Sequence, residues 1–291
     1  MAIAHLVDAS PYIFRAHFSL PATIKTPDGR PIAASYGFTS FLLKLLQDEK
    51  PTHLGVAFDR HLSTNVHRNE LFPDYKTQRD EPPKEIEDQI DTCVEIAAAL
   101  GAATFIHEEY EADDLLGTIC RRLDRDGHGA VIVTSDKDLA QLVSHRFTLL
   151  DFAREARLGP QEVLEKFGVR PDQITDYLAL AGDPVDNLPG VKGIGPKSAA
   201  DLLQHFGHLE DLYAHLEDLP RLKIRSTRSL HAKLAASRDV AFLCKDLATV
   251  RDVPGLDAGL DALEYRGADS ARVEQLFESL GFKRIRERVP G

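Results

Sequence analysis

Apolar residues in the first half of the chain alternate between short continuous runs and helical spacing. The continuous runs predict strands at Ile3–Val7, His53–Phe58, Ala103–Ile106, Ala130–Thr134 and Phe147–Leu150. Helical spacing predicts helices at Ser35–Glu49, Glu85–Leu100 and Ala112–Arg125. Strands that alternate with helices are typical of an α/β fold with a mostly parallel, doubly wound central sheet.

The second half of the chain has a different pattern. From Pro160 onward it is mostly helical, with short breaks at proline and glycine. We therefore predict an α/β domain over residues 1–158 and a mostly helical region over residues 159–291, packed on the first. Residues 60–84 fit neither one strand nor one helix, and connections of that length in compact domains are often functional.

Acidic residues follow the predicted strands at the point where each strand ends. Asp8 and Asp59 come directly after their strands, Glu111 follows the third strand, and Asp136 follows the fourth. Because the carboxyl ends of parallel strands share one edge of a sheet, we expect these side chains to converge there. Two short runs add acids at the same edge, Glu111-Ala112-Asp113-Asp114 and Asp136-Lys137-Asp138.

Carboxylates packed this closely repel one another, and they stay ionised together at neutral pH only if cations lie between them. Hard divalent ions with oxygen ligands meet that need. Two such ions can bind the attacking and leaving oxygens of a phosphodiester. The sequence therefore predicts a metal site that cleaves phosphodiesters, although any single acid could also be an ordinary helix cap or a solvated surface group.

The formal net charge of −11 at first argues against a nucleic-acid partner. Without the nine acids assigned to the metal cluster, the chain carries a net charge of −2. These nine are Asp8, Asp59, Glu111, Asp113, Asp114, Asp136, Asp138, Asp183 and Asp186. Residues 221–251, the predicted basic ridge, carry eight Lys or Arg against two Asp. A chain that gathers its acids in one cluster and its basic residues in another can bind a polyanion despite a negative net charge.

A glycine-rich segment, residues 190–198, is a second candidate for phosphate binding. Glycine lets the backbone approach a phosphate closely, the helix that follows offers free N–H groups, and Lys197 adds a positive charge. It is no nucleotide P-loop, because Pro196 breaks the required Gly-Lys-Ser/Thr step. A helical hairpin that grips DNA backbone would have this sequence, and so would a plain helix–helix turn.

Residues 71–79 interleave aromatic side chains with cations, which include Tyr75, Lys76 and Arg79. Such residues can stack on bases and neutralise the phosphates of a single strand. A solvated loop with one packed aromatic has the same pattern. The metal cluster predicted nearby favours the nucleic-acid interpretation.

The three cysteines, Cys93, Cys120 and Cys244, are far apart and form no CxxC pair. A zinc cluster or a disulfide framework is therefore not expected, and the cytoplasm is the expected compartment. Cys93 and Cys120 lie on apolar helix stripes, which favours small buried hydrophobic residues. No apolar run approaches membrane-spanning length and the N-terminus has no secretory signal, so we expect no membrane partner.

Several segments together resemble the bacterial 5′-nuclease family, also called flap endonucleases. Within that family, the chain specifically resembles the N-terminal nuclease domain of DNA polymerase I. The resemblance covers about the whole chain, in order. Because no polymerase-like region follows, a free-standing nuclease or the nuclease portion alone is expected. The matching segments are Leu6-Val7-Asp8, residues 33–38, Val56-Ala57-Phe58-Asp59, residues 68–76, Glu111-Ala112-Asp113-Asp114, residues 134–138, residues 182–187 and the glycine hairpin.

The resemblance implies two divalent cations, Mg²⁺ or Mn²⁺, held by two groups of acids. The first group is Asp8, Asp59, Glu111 and Asp113, with Asp114 in or near it, and the second is Asp136, Asp138, Asp183 and Asp186. It also implies a helical arch over residues 60–84. In this arch, Lys76 and Arg79 would contact the scissile region of the DNA and Tyr75 would stack on a base. Residues 183–206 would form a helix–three-turn–helix motif that holds K⁺ through the carbonyls of Val191 and Ile194.

The function implied by the resemblance is 5′–3′ exonuclease and structure-specific flap endonuclease activity. The expected partners of a monomeric enzyme are branched or 5′-flap DNA and duplex DNA with free 5′ ends. The implied catalytic residues are Lys76, Arg79, Asp8, Asp59, Glu111, Asp113 and Asp136, and the implied DNA contacts are Arg15, Arg68, Tyr75, Lys76, Arg79, Gly193, Gly195 and Lys197.

The chain departs from the family pattern at four positions, Ala9, Pro11, His67 and Pro184. None of these departures removes a metal ligand, and Pro184 leaves the geometry of the second group of acids open. Two alternatives also stay open. One is a nuclease of the same fold that acts mainly on RNA or RNA/DNA hybrids, and the other is a protein that binds DNA junctions without cleaving them.

Overall fold

A computed structural model describes residues 1–62, 66–78, 81–221 and 227–290. In this part of the chain, six strands form one sheet in the order β3-β2-β1-β4-β5-β6. Strands β1 to β5 are parallel and β6 is antiparallel to β5. The bounds are β1 (Ile3–Asp8), β2 (Leu54–Asp59), β3 (Ala103–His107), β4 (Gly129–Val133), β5 (Phe147–Asp151) and β6 (Ala156–Leu158).

The five predicted strands and the α/β fold class are confirmed. The sequence pattern missed β6, because a three-residue strand at the sheet edge has no apolar run of its own. The helices in the first half are α1 (Ser10–Ser19), α2 (Ala33–Glu49), α3 (Val66–Leu71), α4 (Lys84–Ala99) and α5 (Ala112–Arg125). Those that follow are α6 (Pro160–Phe167), α7 (Ile174–Ala181), α8 (Pro196–Phe206), α9 (Leu209–Ala214), α10 (Thr227–Ala236), α11 (Arg238–Ala248) and α12 (Ser270–Leu280).

Each face of the sheet is covered by helices. Neighbouring strand residues point to opposite faces, so Leu6 belongs to one apolar core and Val7 to the other. One core lies against α1, α2, α4 and α12, and the second joins α5 to α7, α8 and α11. Burial on both faces explains why the strands appear in the sequence as continuous apolar runs.

The cysteines are part of these cores. All three are buried, and burial raises the pKa of the Cys93 and Cys120 thiols to about 12. They are therefore uncharged packing residues, as predicted. Among the helices that the structure describes, none is both long and apolar enough to cross a membrane.

Candidate active site

Acids from separate strands meet at the carboxyl edge of the sheet. Asp8 and Asp59 are the last residues of β1 and β2, Glu111 is the residue before α5, and Asp136 lies shortly after β4. The charge of Asp8 interacts with those of Asp59 and Asp136, and the charge of Asp113 interacts with those of Asp136, Asp8 and Glu111. The structure thus brings together residues more than a hundred positions apart, as the parallel strand ends predict.

The proximity of these acids changes their proton affinity. Burial raises the pKa of Asp8 well above its ordinary value, and the charges of Asp59 and Asp136 raise it further. Burial also raises the pKa of Asp113, and Asp136 and Asp8 add to the effect. Asp59 shows a raised pKa for the same reasons, burial first and then the charge of Glu111. Ionising all of them together is costly unless a cation compensates for the charge.

A second group of acids lies beside the first. Burial raises the pKa of Asp138, and the charges of Asp136, Asp186 and Asp183 contribute in that order. Asp136 therefore interacts with members of both groups. One carboxylate oxygen, Asp138 Oδ1, is buried and has no hydrogen-bond partner. A buried oxygen without a donor indicates a missing partner.

The loop that carries Asp183 and Asp186 is closed by its own backbone. The backbone N–H groups of Asp183 and Leu188 each donate to the carbonyl of the other residue, at 2.9 and 2.8 Å. Asp183 Oδ1 accepts a hydrogen bond from the Val185 N–H at 3.0 Å. Pro184, the departure that left this geometry open, is exposed in this loop, and Asp183 is buried.

Two lysines supply positive charge to the acids. Lys76 Nζ lies 2.6 Å from Glu111 Oε1 and 4.0 Å from Asp186 Oδ2, so it bridges the two groups. Lys137 Nζ lies 2.9 Å from Asp183 Oδ1. Burial lowers the pKa of Lys137, but the hydrogen bond and charge of Asp183 raise it overall. Among the described residues, no three His, Cys, Asp or Glu side chains are already arranged as a metal site.

Hydroxyl groups that the sequence interpretation missed hold two of the acids in place. Thr134 Oγ1 donates to Asp8 Oδ2 at 2.8 Å and also accepts a hydrogen bond from the Asp136 N–H at 2.9 Å. Ser10 Oγ donates to Asp59 Oδ2 at 2.5 Å. Lys137 was also missed, although its position between two acids in Asp136-Lys137-Asp138 was a usable signal.

Arg68 does not fit the prediction that it contacts DNA. Its guanidinium is buried and makes hydrogen bonds to both oxygens of Asp114, at 2.8 and 2.9 Å. It also donates to Glu111 Oε2 at 3.0 Å and to the Leu247 carbonyl at 2.9 Å. Asp114 was predicted in or near the first group of metal ligands. Both of its carboxylate oxygens accept hydrogen bonds from Arg68. Both residues connect α3, α5 and the end of α11.

Tyr75 does not fit the prediction that it stacks on a base, because its side chain is buried. Its hydroxyl lies 3.1 Å from Asp186 Oδ2 and 3.4 Å from Glu111 Oε2, so its single proton is shared between two carboxylates. Burial raises the pKa of Tyr75 well above its ordinary value, so the hydroxyl keeps its proton and remains a donor. The Lys76 N–H donates to the Asp186 carbonyl at 3.2 Å, and the base of the predicted arch is thereby fixed on the loop of the second group.

The glycine hairpin lies between α7 and α8. Gly190 has φ of +60°, and a Cβ there would lie 2.4 Å from the Gly182 nitrogen, so the turn requires glycine. Val191 and Ile194 bury their side chains, whereas Gly193, Gly195 and Lys197 are exposed. These three exposed residues are among those that the family resemblance places in contact with the DNA backbone.

The other predicted DNA contacts have varied surroundings. Arg15 is exposed on α1, and it borders a cavity of about 440 Å³ between α1 and α2. Arg79 lies outside the described residues. The basic stretch over residues 221–251 is not one continuous ridge in its described part, since Lys245 pairs with the buried Asp176 and Arg238 packs over the rings of Tyr213 and Phe242.

Comparison with known proteins gives two family models that match this chain. A 5′–3′ exonuclease N-terminal resolvase-like domain matches residues 4–168, and a 5′–3′ exonuclease C-terminal SAM fold matches residues 169–271. A DNA polymerase I from Rhizobium leguminosarum is 38% identical over 292 residues, which cover 98% of this chain and 28% of that protein. The chain thus spans less than a third of this curated relative.

Solved structures show a similar fold at lower identity. A bacteriophage T5 5′-exonuclease with bound zinc ions gives a TM-score of 0.68 at 22% identity, covering 95% of this chain and 99% of that chain. The T5 flap endonuclease in a complex with DNA and metal ions gives a TM-score of 0.66 at 20% identity, covering 96% and 99%. The two family models together account for most of the chain, and the chain belongs to the 5′–3′ exonuclease family.

Proposed function

We propose that this chain is a metal-dependent 5′–3′ exonuclease and flap endonuclease that hydrolyses DNA phosphodiesters at 5′ ends and flaps. The observation that carries the proposal is the convergence of buried acids with raised pKa values at one edge of the sheet. The T5 flap endonuclease, which has the same fold, is found in a complex with DNA and metal ions.

Two divalent cations, Mg²⁺ or Mn²⁺, fit the donors at this edge. Carboxylate oxygens are the ligands that these ions prefer, and Asp138 Oδ1 has no other partner. Asp8, Asp59, Glu111 and Asp113 would hold one ion, and Asp136, Asp138, Asp183 and Asp186 would hold the other. When bound, such ions activate water and neutralise charge that develops on the phosphate.

The chain's own residues position the reacting groups. Thr134 and Ser10 orient Asp8 and Asp59, and the Tyr75 hydroxyl lies between Asp186 and Glu111 within hydrogen-bond distance of both. Lys76 places an ammonium between the two groups of acids, where it would stabilise negative charge on the scissile phosphate. Arg79, three residues further on, is proposed for the same role.

DNA would be held through its backbone by the exposed part of the hairpin, Gly193, Gly195 and Lys197, together with the backbone N–H groups that follow Pro196 in the first turn of α8. Arg15 on α1 is proposed as a further phosphate contact. Such contacts read shape rather than base sequence, which suits an enzyme that acts on flaps and on duplexes with free 5′ ends. We propose that one copy of the chain carries the complete site.

Replacing Asp136 by asparagine tests this function. Asp136 interacts with both groups of acids, so we expect flap cleavage in magnesium to fall at least about a hundredfold while flap DNA still binds. Asp48→Asn, on the partly exposed end of α2, removes one carboxylate elsewhere and should leave the rate unchanged. Undiminished cutting by the Asp136 variant would refute the site assignment.

Magnesium should stabilise the protein more strongly as pH rises. Because the pKa values of Asp8, Asp113 and Asp138 are raised by folding, their contribution to stability is present at low pH and is lost as pH rises through those values. Bound cations favour the ionised forms, so protons and magnesium compete. We expect the magnesium-induced stabilisation to grow as pH rises through these raised pKa values, and to reach about 2.7 kcal/mol of unfolding free energy at a hundredfold excess of magnesium over Kd.

The control for this prediction is Asp113→Asn. It removes one buried charge, so it should raise Tm in EDTA at neutral pH and reduce the response to magnesium. A magnesium response that is independent of pH would contradict the assignment of these acids as ligands. Thermal unfolding followed by circular dichroism at a series of pH values measures both effects.

A further inference from the structure

The glycine hairpin has a lysine from a distant helix lying across it. Lys233, on α10, donates from Nζ to the carbonyl oxygen of Gly193 at 3.3 Å. The two residues are 40 positions apart, so the contact is created by the fold of the helical region. It places a positive charge at the exposed tip of the hairpin, between Lys192 and Ile194 along the chain.

The backbone of the hairpin is shaped to accept this lysine. Gly193 has φ of +81°, and a Cβ built there would lie 2.6 Å from Lys233 Nζ and 3.2 Å from its Cε. The lysine side chain therefore occupies the space that any other residue at position 193 would need. The positive φ favours glycine at this position, and a Cβ there would also displace the end of the Lys233 side chain.

The contact bears on the K⁺ ion expected at the carbonyls of Val191 and Ile194. The Val191 carbonyl already accepts a hydrogen bond from the Ile194 N–H at 2.9 Å, and the carbonyl of Gly193, the residue before Ile194, accepts from Lys233. An ammonium and a potassium ion each carry one positive charge, so they repel each other at adjacent carbonyls. These residues do not fit a potassium ion beside the lysine.

We propose that Lys233 provides the cation of this hairpin in place of K⁺, and that its ammonium contacts a DNA phosphate there. The phosphate contact rests on the proposed DNA-binding function. The replacement of K⁺ by Lys233 does not depend on that function. Gly193, Gly195 and Lys197 of the same hairpin are exposed to solvent. Lysine acts on phosphate as a point charge, which requires no particular base sequence.

Thallium, which stands in for potassium and scatters anomalously, tests the choice of cation without DNA. Crystals of the full chain soaked in a thallous salt should show no anomalous peak at the hairpin carbonyls. The same soak of Lys233→Met crystals should give a peak there, because the competing ammonium is gone. A thallium peak next to the Val191 and Ile194 carbonyls of the unaltered protein would overturn the proposal.

Flap-DNA binding tests the phosphate contact. At equal ionic strength, the unaltered protein should bind equally in potassium and sodium chloride. For Lys233→Met, the slope of log affinity against log salt should fall by about one, as expected for one lost phosphate contact. Binding by the unaltered protein that requires potassium, or an unchanged slope for the variant, would refute the proposal.

The matched control is Lys166→Met, which removes an exposed lysine of α6 in the same helical region. It should leave the salt slope unchanged and give no thallium peak at the hairpin. If the unaltered protein bound no flap DNA in either salt, the proposed function and the phosphate contact would both fail. The thallium result would still decide whether Lys233 replaces potassium.

Discussion

Replacing Lys76 by methionine should slow cleavage of 5′-flap DNA by about 10²–10³-fold. The ammonium lies between Glu111 of the first group of acids and Asp186 of the second, and it is nearly buried. Charge that develops on a phosphate bound there would lose a fixed positive partner. Single-turnover cleavage at saturating enzyme measures the chemical step separately from binding.

The backbone supports this assignment. Lys76 has φ of +58°, a conformation that residues other than glycine rarely adopt, and its N–H is held by the Asp186 carbonyl. Such a backbone persists only where the surroundings fix it, which is common at functional sites. The strained turn directs the side chain towards the acids rather than into solvent.

Lys84→Met is the matched control, because Lys84 is an exposed lysine at the other end of the same connection. Its loss should leave the single-turnover rate nearly unchanged. The Lys76 variant should still bind flap DNA, since the hairpin contacts are intact. A Lys76 variant that cleaves at the unaltered rate would remove this residue from the chemistry.

Replacing Arg68 by methionine should destabilise the protein by about 3–5 kcal/mol, which corresponds to a fall in Tm of about 10 °C. The guanidinium is buried and serves Asp114, Glu111 and the Leu247 carbonyl. Its removal leaves the Asp114 carboxylate buried without its counter-ion. Thermal or denaturant unfolding measures the loss.

A second variant separates the structural role from a DNA contact. Arg68→Met combined with Asp114→Leu removes both partners, so it should recover part of the lost stability. Arg266→Met breaks an exposed ion pair with Glu264 and should leave Tm unchanged. If Arg68 contacted DNA instead, the single variant would keep its Tm and lose flap affinity.

Most of the sheet could be predicted from the sequence, because burial on both faces makes each central strand a continuous apolar run. The convergence of Asp8 and Asp59 followed from the same pattern, since parallel strands end at one edge. The order of strands in the sheet did not follow, because many orders are compatible with alternating strands and helices. Strand β6 was too short to leave a pattern.

The roles of the basic and aromatic residues near the acids could not be predicted as well. Arg68 and Tyr75 lie in a segment of cations and aromatics that favours nucleic-acid contact, yet both are buried. Their partners are distant in sequence, such as the Leu247 carbonyl, 179 positions from Arg68. Sequence shows which residues carry charge, but tertiary packing decides which of them face solvent. The contact of Lys233 with Gly193 was missed for the same reason, whereas Lys137 could have been found from its position between two acids.

The most direct test of the metal site is the position of manganese in crystals of the full chain. Anomalous scattering should show two peaks, one among Asp8, Asp59, Glu111 and Asp113 and the other among Asp136, Asp138, Asp183 and Asp186. Lys76 and Lys137 should then have moved away from their carboxylate partners. Manganese bound only elsewhere, with these carboxylates still paired to the two lysines, would contradict the account.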